Sequence, residues 1–229
     1  MTLAIMQPYL FPYIGYWQLI NAVDTFVIYD DVNFIKQSYI NRNYLLQNNE
    51  SKIFTLELLG ASSNKLINEI EIGKNRKKIL KTIEQNYRKT PYFKVAFPLL
   101  KEILEYPENN LSKFIAYSLE KISEYLSIDT KIIYSSNIDK DNSLKGEDKV
   151  IHICKLLNTK SYINAIGGES LYSKDNFNSN DINLYFLNTK NIKYKQFNNK
   201  FVPYLSIIDI MMFNSKDEIK NILGQYKLI

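Results

Sequence analysis

The fold of this chain is decided by residues 3–31, which read LAIMQPYLFPYIGYWQLINAVDTFVIYDD. Two short apolar runs, at 3–6 and 26–29, stand about twenty residues apart. Pro8 ends the first run, because proline cannot continue a strand ladder. Between the runs, the apolar residues from Ile14 to Ile20 recur near one face of a helix. Two apolar strands joined by a helix indicate a parallel βαβ unit.

The rest of the chain continues this alternation of strands and helices. Apolar or alternating runs predict strands at 51–59, 131–134, 161–164, 184–186 and 192–194. Helical stripes lie around 79–87, 111–126 and 146–158, and the tail from 206 to 228 is mostly helical in pattern. The polar stretch 139–146 is typical of a surface loop. The sequence therefore predicts one Rossmann-like α/β domain over 1–229, with a mainly parallel sheet flanked by helices.

The composition excludes several classes of protein. With 229 residues and 45% hydrophobic side chains, the chain can build a core, so disorder of the whole chain is excluded. One cysteine and one histidine exclude a disulfide framework, a cysteine-based zinc site and a multi-histidine metal centre. We therefore expect no metal and no tightly bound cofactor. A net charge of +5 suits an anionic ligand such as a nucleotide sugar, but it is equally ordinary for a lysine-rich chain.

The pattern of apolar residues also bears on location. No run approaches the ~18 apolar residues that a membrane-spanning helix needs. The first residues, MTLAIMQP, lack the basic and apolar regions of a signal peptide. We therefore expect a cytoplasmic protein without membrane insertion. No base-stacking or groove-binding motif is present, so nucleic acid is not an expected partner.

Polar residues follow four of the predicted strands. They are Gln7, Asp30–Asp31, Ser135–Ser136, and Asn164 with Gly167–Gly168. Open parallel sheets bind ligands beyond the carboxyl ends of their strands. The sequence therefore predicts a site at this edge, with one pocket lined by Gln7, Asp30, Asp31, Lys36, Arg42, Asn43 and Asn164.

Asp30 and Asp31 are the candidate catalytic residues. Acidic side chains that close an apolar strand are costly in a core, so they serve either a ligand or a turn. Neighbouring strand residues point to opposite faces, so we expect one of the two to face the pocket. A general base, an acceptor for a sugar hydroxyl and a Mg²⁺ ligand are all chemically reasonable roles.

The candidate substrate-binding residues are polar, aromatic or glycine. Lys36, Arg42 and Asn43 lie in a segment that fits a loop holding phosphate or carboxylate, although an exposed basic loop is the alternative. Near the first strand end, Gln7, Tyr9 and Tyr13 form a cluster of a kind that binds sugars or nucleobases, unless its rings only pack. Further along the chain, the residues expected to approach a ligand are Asn164, Gly167 and Gly168.

Cys154 and His152 are expected to stay outside the chemistry. Cys154 shares an apolar helix face with Val150 and Leu157, which favours a buried, inert thiol over an acyl acceptor. His152 lies off that face and is expected to point to solvent.

The opening residues Met6-Gln7-Pro8-Tyr9-Leu10-Phe11-Pro12-Tyr13-Ile14-Gly15-Tyr16-Trp17 resemble the signature of WbqC-like proteins. Further matching segments follow in the expected order: 29–32, 41–43, 153–154, 162–164, 167–168, 171–172, 205–209 and 213–214. The resemblance covers nearly the whole chain. It departs from the family at Ala165, where proline is usual, and at Lys149, where arginine is more usual.

The resemblance implies a role in lipopolysaccharide and O-antigen synthesis. It implies an N-acyl or amino-acyl transferase that forms an amide on an amino sugar, carried as its nucleotide derivative. The acyl donor would be a thioester of coenzyme A or of an acyl or peptidyl carrier protein, and Asp30 or Asp31 would be the base.

Two other functions stay open. The first is an ATP-dependent amide-forming ligase, because the order of strand, Gln-Pro loop and helix is also similar to nucleotidyltransferases of the HIGH type. The histidines of that signature are absent here. The second is a non-catalytic binding or scaffold protein of polysaccharide assembly.

Overall fold

In a computed structural model, which describes residues 1–197 and 200–229, strands and helices alternate along the chain. The strands are β1 (Thr2–Met6), β2 (Thr25–Ile28), β3 (Arg42–Gln47), β4 (Glu50–Thr55), β5 (Leu58–Leu59), β6 (Glu71–Ile72), β7 (Lys131–Tyr134), β8 (Ser161–Ala165), β9 (Asn183–Thr189) and β10 (Tyr226–Leu228). The helices are α1 (Ile14–Asn21), α2 (Arg76–Tyr87), α3 (Phe93–Glu105), α4 (Leu111–Leu126), α5 (Gly146–Leu156), α6 (Lys174–Ser179), α7 (Ile207–Phe213) and α8 (Lys216–Leu223). Short 3₁₀ turns occupy Ile67–Glu69, Ser135–Asn137 and Ile166–Leu171.

One six-stranded sheet organises the molecule, in the order β10-β9-β8-β1-β2-β7. All neighbouring strands are parallel except β10, which runs antiparallel to β9. Counted by appearance, the parallel strands lie in the order 3-2-1-4-5, which is the doubly wound arrangement. The predicted α/β fold with a mainly parallel sheet flanked by helices is confirmed. The assignment of 1–229 to one domain stays a prediction.

The direction of winding reverses between β1 and β8. The chain moves from β1 outward to β2 and β7, then returns to β8 on the other side of β1. The connections that leave β1 and β8 therefore diverge, and they leave a crevice beyond the carboxyl ends of these two strands.

Two apolar cores cover the two faces of the sheet. In β1, Ala4 packs into the core that contains α1, α4, α7 and α8, whereas Leu3 and Ile5 pack into the core beneath α5 and α6. This alternation is the period of two that a strand imposes on its side chains. Both faces of β1 are buried, as expected for the central strand of a parallel sheet.

The structure corrects two strand predictions. Residues 192–194 form no strand, although Ile192 is buried and its neighbour Lys193 is exposed. Their alternation comes from packing of a loop against the core. The predicted strand 51–59 is interrupted after Thr55. The Leu56 amide still donates to the Asn41 carbonyl, but the Leu56 carbonyl accepts from the Asn41 side chain, and Leu58–Leu59 pairs with β6 instead of β3.

Several elements were missed or placed differently, among them α6 and β6, which were not predicted. Helix α3 was not predicted, and it contains Pro98. Strand β3 begins at Arg42, inside the segment predicted as a loop. The tail is helical in α7 and α8 but ends in β10, which pairs with β9. Within residues 1–197 and 200–229, no helix is both long and apolar enough to cross a membrane.

Candidate functional site

A cavity of about 510 Å³ opens where the winding of the sheet reverses. It is lined by residues at the carboxyl ends of β1, β8 and β9, by the start of α1, and by five tyrosines: Tyr9, Tyr13, Tyr16, Tyr39 and Tyr204. We call it the tyrosine crevice. Among the described residues, no charged side chain lines it. Its walls therefore offer aromatic faces and neutral hydrogen-bonding groups.

The tyrosine rings form contacting pairs around the crevice. The ring centroids of Tyr9 and Tyr39 are 5.9 Å apart, and those of Tyr13 and Tyr204 are 5.7 Å apart. Within the described part of the chain, the hydroxyls of these four tyrosines have no hydrogen-bond partner, so they are available to a ligand. Burial raises the pKa of Tyr9 and Tyr13, so both hydroxyls keep their protons at neutral pH.

The loop 7–13 forms one wall of the crevice, and helix α1 holds its two ends. The Tyr16 hydroxyl donates to the Gln7 carbonyl at 2.9 Å, and the Trp17 indole Nε1 donates to the Pro12 carbonyl at 3.0 Å. Both donors are buried, so these hydrogen bonds are shielded from water.

Distant residues hold the middle of the same loop. The Asn43 amide Nδ2 donates to the carbonyls of Leu10 and Phe11 at 3.0 and 2.9 Å, and the Ser206 hydroxyl donates to Phe11 at 2.8 Å. Phe11 has a φ of 43°, a left-handed conformation that costs a non-glycine residue energy. The four anchors hold this conformation in place and so orient Tyr9 and Tyr13 toward the crevice.

Helix α1 approaches β9 closely at the bottom of the crevice. A Cβ atom on Gly15 would lie 2.7 Å from the Thr189 Oγ1. That hydroxyl donates to the Gln18 Oε1 at 2.8 Å. Glycine at position 15 thus permits a contact that any larger residue would push apart.

The two candidate catalytic aspartates point to different sides of the sheet edge. Asp30 is buried, and its carboxylate accepts hydrogen bonds from the Ser136 amide at 3.0 Å and the Ser136 hydroxyl at 2.7 Å. A longer contact of 3.4 Å comes from Asn68. Asp30 lines a second cavity of about 450 Å³ at the ends of β2 and β7.

Asp31 forms a buried ion-paired cluster. Its Oδ2 lies 2.6 Å from the Lys140 Nζ and 3.8 Å from the Lys149 Nζ. Burial alone would raise the pKa of Asp31, but the two lysines and Ser135 outweigh it and lower the pKa. Lys140 comes from the stretch predicted as a surface loop, yet its side chain is 1% exposed. A carboxylate with a lowered pKa is a weak proton acceptor.

The predicted site residues are therefore not brought into one pocket. Tyr9, Tyr13 and Asn43 line the tyrosine crevice, while Asp30 lines the second cavity. The reason is that the chain after β2 turns toward β7 and away from β8. The remaining candidates, which line neither cavity, are Gln7, Asp31, Lys36, Arg42, Asn164, Gly167 and Gly168.

Arg42 and Lys36 differ in their surroundings. Lys36 is exposed. Arg42 is half-buried at the start of β3, and among the described residues its Nε has no hydrogen-bond partner. Arg42 and Tyr44 lie on the same face of β3, and the Tyr44 ring packs against Tyr39 at 6.4 Å. Within the described part of the chain Arg42 makes no ion pair, and its side chain lies on the opposite face of β3 from Asn43, which lines the crevice.

Asn164 and the glycine pair form a tight turn after β8. A Cβ atom on Gly168 would lie 2.5 Å from the Asn164 Nδ2, so a larger residue there would require the Asn164 side chain to move. The Asn164 Oδ1 accepts the Ala165 amide at 2.9 Å. Gly167 has open space around it. The Asn164 side chain thus contacts Gly168 and the Ala165 amide within this turn.

Cys154 and His152 lie in helix α5. Cys154 is fully buried, and this burial raises the pKa of its thiol to about 12. A thiol with that pKa is unreactive at neutral pH. The half-buried His152 accepts a hydrogen bond from the Asp141 amide at 3.2 Å. Within residues 1–197 and 200–229, no group of three metal-ligating side chains is close enough to hold a metal ion.

A model of the WbqC-like protein family matches residues 7–221. The chain belongs to this family. It is also 26% identical over 213 residues to an uncharacterized protein of Mycobacterium tuberculosis, Rv1507c, and the match covers 91% of each chain. No solved structure matches the chain.

The opening segment that resembles other WbqC-like proteins has a structural explanation. Four residues within or beside residues 6–17 build the loop and its anchors: Pro12 and Phe11 supply carbonyls, and Tyr16 and Trp17 supply donors. Gly15 supplies the close approach to β9. The segment thus forms the rigid wall of the tyrosine crevice.

Asp209 is a buried carboxylate that sequence reasoning did not single out. It is fully buried in α7 and accepts hydrogen bonds from the hydroxyls of Tyr87 and Tyr194 at 2.9 and 2.6 Å. The amide of Gln196 donates a third at 2.7 Å. Burial raises its pKa to about 6, and the three hydrogen bonds oppose that rise. The available signal was an acidic residue inside the otherwise apolar run 205–213.

The Asp209 network connects three parts of the molecule that surround the crevice. The Tyr87 hydroxyl also accepts from the Leu46 amide of β3 at 2.8 Å. Gln196 exchanges two hydrogen bonds with the Val202 backbone, at 3.0 and 2.7 Å. The network therefore holds Val202, which lies two positions before Tyr204, one of the crevice tyrosines.

Proposed function

We propose that this chain is a cytoplasmic transferase of bacterial surface-polysaccharide synthesis. It binds a nucleotide-linked amino sugar in the tyrosine crevice and forms an amide on the sugar's amino group. The observation that carries the proposal is the crevice itself: five tyrosines surround a cavity of about 510 Å³ at the switch point of a doubly wound sheet. Membership of the WbqC-like family agrees with this class of function.

The lining of the crevice suits a sugar or a nucleobase. Both ligands have flat or weakly polar faces that stack on aromatic rings, and their hydroxyl and amide groups need neutral hydrogen-bond partners. Tyr9, Tyr13, Tyr39 and Tyr204 offer both kinds of contact, since their hydroxyls have no partner in the described part of the chain.

Arg42 is the proposed contact for the diphosphate of the nucleotide. Its Nε is buried and has no hydrogen-bond partner within residues 1–197 and 200–229, and a planar guanidinium binds two phosphate oxygens at once. Lys36, which is exposed in the same segment, would add a second positive charge at longer range.

The uncharged walls of the crevice also favour the reacting form of the amine. An amino group removed from water is more readily neutral, because a low-dielectric surrounding disfavours its ammonium form. The neutral nitrogen then attacks the carbonyl carbon of an acyl thioester, a carbon–nitrogen bond forms, and the carbon–sulfur bond breaks. The proton lost by nitrogen passes to the departing thiolate, either directly or through a base.

Asp30 and Asp31 stay predictions as that base. The carboxylate of Asp31 is paired with Lys140, and that of Asp30 accepts hydrogen bonds from Ser136. The lysines lower the pKa of Asp31, which reduces its ability to take a proton. The proposal therefore takes the leaving thiolate as the proton acceptor, because this route needs no basic side chain from the protein.

Binding without turnover is the second candidate. It is favoured by one observation: among the described residues, neither a carboxylate nor a histidine lines the crevice. A scaffold or delivery protein would need only the aromatic and amide contacts.

The test combines binding with turnover. We expect calorimetry to detect a UDP- or dTDP-linked amino sugar, and the Tyr13→Ala and Tyr204→Ala variants to bind it about tenfold more weakly or worse, given ~1 kcal/mol or more per lost stacking contact. Tyr185 lies on β9 outside the crevice and is partly exposed. The Tyr185→Ala variant is the matched control and should bind normally.

Turnover is measured by mass spectrometry of the sugar after incubation with acyl or aminoacyl thioesters. An added acyl mass that requires the protein supports the transferase. Saturable binding with no product supports the second candidate. Equal binding by the Tyr13, Tyr204 and Tyr185 variants would show that the crevice is not the sugar site.

A further inference from the structure

The second cavity, at the carboxyl ends of β2 and β7, is strongly acidic. Asp30, Glu108 and Glu120 contribute three carboxylates to its lining, and Lys113 contributes one positive charge. We call it the acidic cavity. It shares no lining residue with the tyrosine crevice, so it is a separate compartment.

The negative charge of this cavity is visible in the properties of Tyr134. Burial, together with the charges of Glu120, Asp30 and Glu108, raises the pKa of Tyr134 to about 12. All three carboxylates therefore act on the same volume. Anions are repelled from such a volume and cations are drawn into it.

An unpartnered buried hydroxyl also points to a ligand in this cavity. Ser112 lines the acidic cavity, is 1% exposed, and its Oγ has no hydrogen-bond partner among the described residues. A buried hydroxyl without a partner is costly, and it can accept a hydrogen bond from a ligand. The Glu120 carboxylate likewise makes no hydrogen bond or ion pair within the described part of the chain.

The start of helix α4, beside Ser112, gives little to an anion. The Leu111 amide donates to the Ile70 carbonyl. The Lys113 amide donates to the Asn110 side chain, and the Phe114 amide donates to the Asn110 carbonyl. Most of the free N–H groups that make a helix end attractive to anions are thus already used.

The aromatic part of the lining suits an organic cation. Tyr106 and Tyr117 stack with ring centroids 3.7 Å apart, and outside the cavity lining the Lys121 Nζ lies 5.8 Å from the Tyr117 centroid. Ammonium groups bind aromatic faces in this way. In the described ranges, no three acidic or histidine side chains converge tightly enough for a metal ion.

We propose that the acidic cavity binds an organic ammonium group, that of a primary amine, between Glu120, Glu108 and the Ser112 hydroxyl. Asp30 contributes charge at the base of the cavity while it holds Ser136. This inference does not depend on the proposed reaction, because it concerns another compartment and requires no turnover.

The probe is 1,4-diaminobutane, with 1,4-butanediol as its neutral counterpart of the same length. Calorimetry at pH 7 should detect the diamine and not the diol or inorganic phosphate. Amide chemical shifts measured by NMR should change at Ser112, Lys113 and Asn137, which line the cavity. Variants of the crevice such as Tyr13→Ala should bind the diamine normally, so this result is independent of sugar binding.

Glu120 provides the decisive variants. The Glu120→Gln change should weaken diamine binding about threefold to fivefold, and Glu120→Lys at least ~10-fold, because the second change replaces an attraction with a repulsion. Glu84 is an exposed carboxylate on α2 outside the cavity. The Glu84→Gln and Glu84→Lys variants are the matched controls and should bind normally.

Four results would overturn the proposal. They are equal binding of the diol and the diamine, equal loss in the Glu120 and Glu84 variants, shift changes that avoid the cavity, and binding of phosphate in place of the diamine. Competition between Ca²⁺ and the diamine at the same amides would show a metal site and would overturn it as well.

Discussion

Replacement of Asp209 by asparagine should change how the stability of this protein depends on pH. The carboxylate is buried without a cation, and its pKa is about 6 instead of 3.8. The folded state thus binds a proton that the unfolded state releases between these pH values. One pKa unit corresponds to ~1.36 kcal/mol, so the folded wild type should lose about 3 kcal/mol of stability as pH rises through this window.

The sign follows from the protonation states. Below pH 3.8 both states are protonated and the contribution is fully present. Between 3.8 and 6 the unfolded chain ionises first, so rising pH favours unfolding. Above pH 6 the folded state also carries the charge and the contribution is gone. About 2 kcal/mol of the change should fall between pH 4 and pH 7.

The Asp209→Asn variant cannot titrate at this position, so it lacks this contribution. Its amide can satisfy only some of the three donors, Tyr87, Tyr194 and Gln196, which should cost about 1–3 kcal/mol at every pH. The variant should therefore be clearly less stable than the wild type at pH 4 and closer to it at pH 7.

The assay is urea denaturation of both proteins from pH 4 to pH 7.5, with the difference in unfolding free energy plotted against pH. The Glu84→Gln variant, which changes an exposed carboxylate, is the control and should track the wild type. A constant difference between the wild type and Asp209→Asn across this range would refute the assignment of a raised pKa to Asp209.

Three further predictions follow from single contacts. Lys140→Met should destabilise the protein by roughly 3 kcal/mol or more in denaturant titrations, because it leaves the largely buried Asp31 carboxylate without its nearest cation. Lys140→Arg should recover part of that loss. If Lys140→Met were as stable as the wild type, the ion pair would be contradicted. The Cys154→Ser variant should keep its activity and show no acyl adduct by mass spectrometry. Its buried hydroxyl should lower the stability by about 1–2 kcal/mol. A variant that folds but is inactive would indicate that the thiol is an acyl acceptor after all. Gly15→Ala should lower the free energy of unfolding by about 1–3 kcal/mol in thermal or urea unfolding. The loss should be smaller in a Thr189→Ala background, where the clash at 2.7 Å is removed. If the losses of the two single variants simply add in the double variant, this contact is not the cause.

Local patterns were sufficient to predict five of the six strands of the main sheet, β10 being the exception, and the strand ends beside which the crevice lies. The two apolar runs at 3–6 and 26–29 and the helical residues between them correspond to β1, α1 and β2. Each of these elements consists mostly of buried residues that follow one another in the sequence, so its apolar pattern is visible in consecutive positions. The rule that ligands bind at strand ends led to the loop that carries Tyr9 and Tyr13.

Long-range partners could not be predicted in the same way. Asp31 was interpreted as a candidate base. Its ion pairs with Lys140 and Lys149 could not be foreseen, because these lysines lie more than a hundred positions away in the sequence. Asn43 was predicted to bind substrate, whereas its amide is used by the loop at Leu10 and Phe11. A single sequence shows which side chains are polar, but the pairing of those side chains depends on the packed fold.

The anchoring of loop 7–13 has a consequence for the order in which the protein is made. The first residues to leave the ribosome contain the crevice wall, but the Ser206 hydroxyl that holds Phe11 is synthesised 195 positions later. Gln18, at the base of the same wall, donates to Ile222, 204 positions away. Contacts of such separation close late in folding. The nascent chain thus carries its tyrosines in an unfinished arrangement until α7 and α8 are synthesised, and the crevice wall is complete only after that point.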